Sequence, residues 1–305
     1  MNKSLIKNKL LLFIIFLIFY SIFYLYWKRN GGLNWSISEW LINYQGGFTR
    51  RGLGGELNIF LANLFSISLR DAIFFLQASL HTSYLILLFI YLKDLKLDIL
   101  QVFALFSPIF LLYPIAELEG IGRKEMLIFL FFTIVIFFSD KKFHSNLVNS
   151  IVFIFFPILC LIWEQIILFA PFFAVVLINK NKLSSFKETL FKLFLIFLPS
   201  IFVIIVIFAS PLSIEGHSIM CKYLLIEFSE RCYGSADLLI QNTIYFNTFD
   251  IHLERTNFIH YLRYIMVFLV GFLPLHLCLN KNQFTHRENY ITKNFKPIYL
   301  FFTIY

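Results

Sequence analysis

The chain has 305 residues, of which 59% are hydrophobic and only 14% are charged, and its formal net charge is +8. A soluble domain has roughly 45–50% apolar and about 25% charged residues, so this composition excludes an ordinary soluble protein. The mean hydropathy of +0.77 and repeated apolar runs near the ~20 residues that cross a bilayer predict an all-α, multi-pass membrane protein.

The N-terminus carries Lys3, Lys7 and Lys9 ahead of an apolar run and lacks a small-residue cleavage site, so we predict a retained first helix with a cytoplasmic N-terminus. Eight spans are predicted, at Leu10–Trp27, Ala72–Leu92, Ile99–Ala116, Met126–Phe138, Leu147–Trp163, Ile166–Ile178, Leu190–Ala209 and Phe258–Leu279. A ninth begins near Pro297. Because the run that ends at Tyr305 is too short to cross a bilayer, we expect a chain that is cut short at its C-terminus.

The basic residues divide between the two sides of the predicted membrane. With the N-terminus inside, fourteen of the seventeen lysines lie on the inner side, as the positive-inside rule requires. Eight of the nine arginines lie outside or at the outer boundary. Either they pair with outer acids, or several bind phosphate through their planar fork of donors. We predict one integral membrane domain over residues 1–305, with a first outer loop at about 28–71 and a second at about 210–257.

The first loop concentrates residues that the chain otherwise uses sparingly. Seven of the twelve glycines, three of the four tryptophans and the only Arg-Arg pair, Arg50 and Arg51, lie between residues 27 and 55. Glycine allows a close approach of backbone N–H groups to a ligand, and arginine suits phosphate or carboxylate. This stretch therefore predicts a binding site for an anionic head group. Further candidates within it are Asn43, Tyr44, Gly46 and Gly47.

Two single acids are candidates for chemistry. Glu39, beside Trp40, could act as a general base toward a hydroxyl group or help to bind a metal, and the alternative is an exposed loop residue. Glu164 interrupts the apolar run from Leu147 to Ile178. An ionisable group at membrane depth is a functional candidate by default, although Glu164 could instead form the outer turn of a tight hairpin.

The loop after the third predicted span reads YPIAELEGIGRKEM. Glu117 and Glu119, two residues apart, could hold a hard divalent cation such as Mg²⁺ or Mn²⁺. Arg123 and Lys124 could then contact a phosphate bound to that cation. A plain charged turn is the alternative.

The second loop contains Cys221 and Cys232, with ten residues between them. On an oxidising side of the membrane this pair predicts a disulfide. Two free thiols are the alternative.

Several motifs are absent from the sequence: GxxxxGK[ST], HExxH, CxxC and GxSxG. Their absence argues against an ATP-driven pump, a zinc protease of that type and a serine hydrolase. We also expect no nucleic-acid partner.

The layout resembles that of the GT-C glycosyltransferases over roughly Leu10 to Leu279. The shared features are an inside N-terminus, a long first outer loop with an interfacial helix from Leu57, acids in the next outer loop and a second long loop after the seventh helix. In that family an acid of the first outer loop is often catalytic, which the resemblance places at Glu39. The acidic pair that binds metal in the oligosaccharyltransferase branch is placed at Glu117 and Glu119.

We therefore expect a glycosyltransferase of a bacterial inner membrane, which moves a sugar from a lipid-phosphate-linked donor to an acceptor on the outer face. A divalent cation is the cofactor that it would use. Two alternatives stay open: a surface-polysaccharide polymerase, and a transporter or flippase for a lipid-linked or anionic solute. A scaffold subunit without chemistry fits the composition of the first loop less well.

Overall fold

The computed structural model describes residues 3–32, 34–93, 120–140, 143–181 and 186–239, with short pieces between 102 and 112 and between 259 and 273. All regular secondary structure in these residues is helical. The α-helices are α1 (Lys3–Asn30), α2 (Trp35–Ser38), α3 (Gly52–Phe65), α4 (Leu69–Leu92), α5 (Glu125–Asp140), α6 (Ser145–Ile162), α7 (Ala170–Asn181), α8 (Phe186–Ala209) and α9 (Ile214–Phe228). Residues 1–93 and 121–240 form one compact unit, and residues 94–120 and 241–305 belong to a second. All contacts described below lie within the first.

Five segments of the described chain are long and apolar enough to cross a membrane: Lys7–Asn30, Leu69–Leu92, Ser145–Ile162, Glu164–Asn181 and Lys187–Ala209. They coincide with the first, second, fifth, sixth and seventh predicted spans. The fourth predicted span corresponds to α5, whose 16 residues are about 24 Å long, short of the ~30 Å hydrocarbon core. The third and eighth spans and the run from Pro297 lie largely or wholly outside the described residues, so the total of eight or nine spans stays a prediction.

The helices pack through apolar and aromatic side chains. Helix α1 lies against α4, α4 against α5, and α6 against α8. Phe173 of α7 is fully buried, and its ring centroid lies 5.0–5.4 Å from those of Phe131, Phe132 and Phe156. Aromatic pairs at this spacing stabilise a core beyond the area that they bury, so this cluster joins α5, α6 and α7.

Large apolar side chains also point away from the protein. Phe19 and Phe23 of α1 are 70% and 72% exposed, and Phe208 of α8 is 73% exposed. Water would disfavour so much exposed apolar surface on long helices, whereas lipid does not. The outer surface of the bundle is therefore compatible with a multi-pass membrane protein.

Helix α3 corresponds to the predicted interfacial helix but begins earlier than Leu57. Arg51 precedes it with a left-handed φ of 66°, so the chain turns into the helix at Gly52. Its Ile59 and Ala62 are buried, whereas Phe60 is 60% exposed. An apolar buried side and an apolar exposed side suit a helix that contacts both protein and the membrane interface.

Candidate functional site

The two long loops meet in the structure. The backbones of Gly46 and Gly216 approach so closely that a β-carbon on either would overlap the other's carbonyl oxygen. The backbone N–H of Ser235 donates a hydrogen bond to Ser38 Oγ at 3.1 Å. A side-chain pair adds to this, because Arg70 Nη2 lies 3.0 Å from Glu230 Oε2. The described part of the second loop therefore packs directly on the first.

Other glycines of the first loop also serve close packing within the protein. A β-carbon on Gly52 would overlap the ring of Tyr44, and one on Gly55 would overlap the carbonyl oxygen of Ile42. These two positions bring the N-terminal turn of α3 against the preceding segment around Ile42 and Tyr44. The glycine content, which predicts backbone contact with a ligand, is here explained largely by contact of backbone with backbone or ring.

Glu56 holds the segment that contains the further candidates Asn43 and Tyr44. The backbone N–H of Tyr44 donates to Glu56 Oε2 at 3.1 Å, and Asn43 Oδ1 accepts from the N–H of Gln45 at 3.0 Å. Burial is the main cause that raises the pKa of the Tyr44 phenol to about 12, so this group stays neutral. Gly47 has a φ of 113°, a conformation that favours glycine.

Lys124 lies at the centre of the candidate site and is fully buried. Its Nζ donates hydrogen bonds to the carbonyl oxygens of Arg51 at 3.0 Å and Ile162 at 3.1 Å. It also lies 5.4 Å from the ring centroid of Trp40, within the range of a cation–π contact. The ammonium group thus joins three distant parts of the chain, whereas the sequence predicts that it contacts a bound head group.

Trp40 and its neighbours are fixed by hydrogen bonds to backbone. The Trp40 Nε1–H donates to the carbonyl of Gly122 at 2.8 Å, and Gln77 Nε2 donates to the same oxygen at 2.7 Å. Asn58 Nδ2 donates to the carbonyls of Gly54 at 3.0 Å and Trp40 at 3.3 Å. These buried amides hold the 120–124 turn against α3 and α4. Nothing in the spacing of the sequence singles out Gln77 or Asn58.

Arg51 and Glu164 form a two-pronged ion pair across 113 residues. Arg51 Nε lies 2.9 and 3.0 Å from the two carboxylate oxygens, and Nη2 lies 2.7 Å from Oε1. The two side chains are only 18% and 10% exposed. A buried charge needs such a partner, because desolvation is costly. Glu164 lies at the turn between α6 and the segment that leads into α7, as the hairpin alternative expects, and its charge is paired with Arg51.

Arginine–carboxylate pairing extends to other positions. Four arginines contact acids: Arg29 with Asp71, Arg51 with Glu164, Arg70 with Glu230, and Arg123 with Glu39 and Glu125. The sequence leaves pairing and phosphate binding open, and for these four side chains pairing describes the structure. Arg50 is half-buried and contributes to the electrostatic environment of Glu164.

Arg123 stands between two carboxylates at the edge of this cluster. Its Nη2 lies 2.8 Å from Glu125 Oε1 and 3.7 Å from Glu39 Oε1. Trp35 Nε1–H donates to Glu39 Oε1 at 3.1 Å. Glu39 is 4% exposed, whereas the Arg123 side chain is 38% exposed. A solvent-facing cation is thereby placed directly beside a nearly buried acid.

Burial perturbs the charged groups of this cluster. It lowers the pKa of Lys124 to about 7, partly offset by the negative charges of Glu39, Glu164 and Glu125. Burial also raises the pKa of Glu125, with Arg123 acting in the opposite direction and Glu39 in the same one. Perturbed groups gathered in one place are typical of functional sites, although structural ion-pair networks produce them too. The sequence predicts no role for Glu125. Its position directly after Arg123 and Lys124 is the sequence feature that could have identified it.

The predicted metal ligands Glu117 and Glu119 lie outside the described residues, so the Mg²⁺ or Mn²⁺ site stays a prediction. Of the described carboxylates, Glu39 and Glu125 share a neighbour in Arg123. That guanidinium already lies between them, so a cation bound there would have to displace it.

An apolar groove of about 580 Å³ lies between α3 and α4. Leu61, Phe65, Phe75 and Leu76 are among its lining residues. The groove lies near the C-terminal end of α3. Arg51 lies at the other end of this helix. The groove offers a surface that suits a hydrocarbon chain.

Comparison with known proteins yields no relative: no protein-family model, curated protein or solved structure matches this chain.

Proposed function

We propose that the chain is a membrane glycosyltransferase that uses a lipid-phosphate-linked sugar donor and a hydroxyl acceptor. The observation that carries this proposal is the trio Glu39, Arg123 and Glu125, in which a nearly buried carboxylate and a half-exposed guanidinium lie side by side. Glycosyl transfer from a lipid phosphate needs a base for the acceptor and a cation for the departing phosphate. The trio supplies both.

Glu39 is the base in this mechanism. Its carboxylate takes the proton of the acceptor hydroxyl, whose oxygen forms a bond to the anomeric carbon of the sugar. The bond from that carbon to the phosphate oxygen breaks, and its electron pair leaves with the lipid phosphate. Trp35 orients the carboxylate through its indole N–H, and the proton finally passes to solvent.

Arg123 binds the phosphate as negative charge develops on it. A guanidinium has N–H donors on more than one edge. One edge of Arg123 faces Glu39 and Glu125, and a second edge can donate hydrogen bonds to the phosphate. Glu125, whose pKa is raised by burial, keeps the net charge beside Arg123 less negative when it is protonated. Arg51 and Lys124 act here as positioning residues, because both are committed to contacts inside the protein.

The apolar groove between α3 and α4 supports the lipid part of the proposal. Its lining is almost wholly hydrocarbon, and α4 is one of the helices that could cross a membrane. A polyprenyl chain in the groove would therefore contact α3, the helix that begins beside Arg51.

Deletion of the gene in the source organism, followed by mass spectrometry of lipid-linked sugars, tests the proposal. We expect single sugars on a polyprenyl monophosphate to accumulate, and the unchanged chain to remove them. Glu39→Gln and Arg123→Gln should fail to do so, whereas Glu215→Gln, an exposed acid of α9, should succeed. Accumulation of whole repeat units on a polyprenyl pyrophosphate would support the polymerase alternative instead. No change in any lipid-linked sugar would refute both.

A further inference from the structure

Four side chains of the second loop, His217, Cys221, Cys232 and Asp237, form a cluster that shares no residue with the Glu39 trio. One possible ligand atom from each lies within 4.8 Å of those of the other three. In this structure the two cysteines form a disulfide. We propose that, when the disulfide is reduced, this cluster binds a soft divalent cation of the Zn²⁺ type. The inference does not depend on the proposed transfer reaction.

The local fold explains why these residues meet. His217 and Cys221 are four positions apart on α9 and so share one face of the helix. Ser229 ends α9 in a left-handed conformation with φ 55°, which turns the chain back along the helix. Cys232 thereby reaches Cys221, and Asp237 begins the 3₁₀ turn Asp237–Leu239 on the same side.

The ligand set suits zinc. Two thiolates, one imidazole and one carboxylate match its preference for sulfur and nitrogen in a four-coordinate site. The distances of about 2.3 Å to sulfur and about 2.0–2.2 Å to nitrogen or oxygen require the four ligand atoms to draw closer together. Side-chain rotation supplies such shifts once the two sulfur atoms are no longer bonded to each other.

The hydrogen bond of the histidine selects the tautomer that metal binding needs. Its Nε2 lies 3.1 Å from the carbonyl oxygen of Ala236, and because a carbonyl only accepts, Nε2 carries the proton. The lone pair is then on Nδ1, which lies 3.7 Å from Cys221 Sγ, while Nε2 lies 3.5 Å from the same sulfur. The imidazole ring therefore has to rotate to turn Nδ1 towards a shared cation. Metal-binding histidines usually donate their other N–H to a backbone carbonyl or carboxylate in this way. Asp237 Oδ1 lies 3.9 Å from Nε2, and the Asp237 side chain is 50% exposed. Asp237 therefore lies on the side of the cluster that faces solvent.

The cluster also lies where a metal would matter for the fold. Cys221 and Cys232 pack against the buried side chains of Ile42, Met220 and Ala236. Ile42 belongs to the first loop, so the bridge helps to keep the second loop on it. A bound cation would hold the same contact after the covalent bond is lost.

The redox step balances with a dithiol as the reductant. The disulfide accepts two electrons and two protons and becomes two thiols, while the dithiol is oxidised to its own disulfide. Zinc then displaces the two thiol protons, which pass to solvent, as thiolates are the binding form.

The test uses the full chain in detergent, with Cys160→Ala and Cys278→Ala so that Cys221 and Cys232 supply the only thiols. After reduction and removal of the reductant, Co²⁺ is added, and Zn²⁺ follows. We expect one Co²⁺ per chain, with thiolate-to-cobalt charge transfer and the visible bands of a four-coordinate ion, and loss of both on adding Zn²⁺. The oxidised chain should show neither. Zn²⁺ should also raise the thermal midpoint of the reduced chain, because it binds the folded form.

Two variants separate this site from adventitious binding. His217→Ala should weaken Co²⁺ binding by more than about 10-fold, as even the loss of a supporting group costs about that much. His144→Ala, at an exposed histidine elsewhere, should bind as the parent does. The proposal fails if the reduced parent shows no charge-transfer band, or if His217→Ala binds Co²⁺ equally well. It also fails if reduction unfolds the chain and Zn²⁺ does not prevent this.

Discussion

Arg51 and Glu164 face each other as a planar pair, with three nitrogen–oxygen distances of 2.7–3.0 Å, although neither residue type is common in a largely buried position. Removing one partner of such a pair leaves an uncompensated charge. Arg51→Met should therefore lower the free energy of unfolding in detergent by about 3–5 kcal/mol. The double variant Arg51→Met/Glu164→Met should recover most of that loss.

Arg29→Met is the matched control for that experiment. Its pair with Asp71 has side-chain exposures of 28% and 25%, so water screens it more, and we expect a loss of about 1 kcal/mol or less. If Arg29→Met and Arg51→Met lowered the free energy of unfolding equally, burial would not be what makes the Arg51–Glu164 pair more important.

Lys124 should make stability depend on pH. Burial lowers the pKa of its ammonium from 10.5 to about 7 in the folded chain, so between these values the unfolded chain binds the extra proton. Stability therefore rises with pH across that window. We expect the thermal midpoint of the unchanged chain to rise from pH 7 to pH 9 relative to that of Lys124→Met. Parallel pH curves for the two chains would contradict this assignment.

The contact of Gly46 with Gly216 predicts that neither position accepts a side chain. A methyl group on either would press on backbone, which cannot rotate away. We expect Gly46→Ala and Gly216→Ala each to cost about 1–3 kcal/mol, measured by thermal unfolding. Gly31→Ala has only ordinary contacts, the nearest at 3.6 Å, and should leave the midpoint nearly unchanged. Wild-type stability of Gly46→Ala would rule out the close approach.

Glu39 and Glu125 should respond differently to the same substitution. Glu125 accepts no proton in the proposed transfer step, and glutamine keeps a polar group beside Arg123, so Glu125→Gln should keep sugar transfer within about 10-fold of the parent. Glu39→Gln removes the base and should lower the rate by about 10²–10⁴. Transfer of labelled sugar in membrane vesicles measures both. The reverse order of effects would assign the base to Glu125.

The positions of five helices along the chain follow from the sequence because apolar length is a local property. Five predicted spans correspond to helices of suitable length and composition, and α3 lies where the mixed pattern after Leu57 predicts an interfacial helix. The residue at which α3 begins could not be predicted from the sequence. It depends on the left-handed conformation of Arg51 and on the packing of Gly52 against the ring of Tyr44.

The chemistry of single residues was harder to predict because it depends on what the fold brings beside them. Nothing near Lys124 in the sequence indicates that its ammonium would meet the carbonyls of Arg51 and Ile162. Glycine looks the same in sequence whether its backbone faces a ligand or another glycine. The fold brings Glu39, Arg51 and Glu164 around Lys124, but the predicted metal ligands Glu117 and Glu119 lie outside the described residues, so the single site stays a prediction.

The Gly46–Gly216 contact bears on how a substrate would arrive. Backbone touching backbone leaves no passage between the two loops at that point, and the Ser235–Ser38 hydrogen bond and the Arg70–Glu230 pair hold the same two loops together. A donor with a long hydrocarbon tail therefore has to approach the Glu39 trio from another direction. The groove between α3 and α4 offers a sideways route from the bilayer, along which the tail never has to enter water.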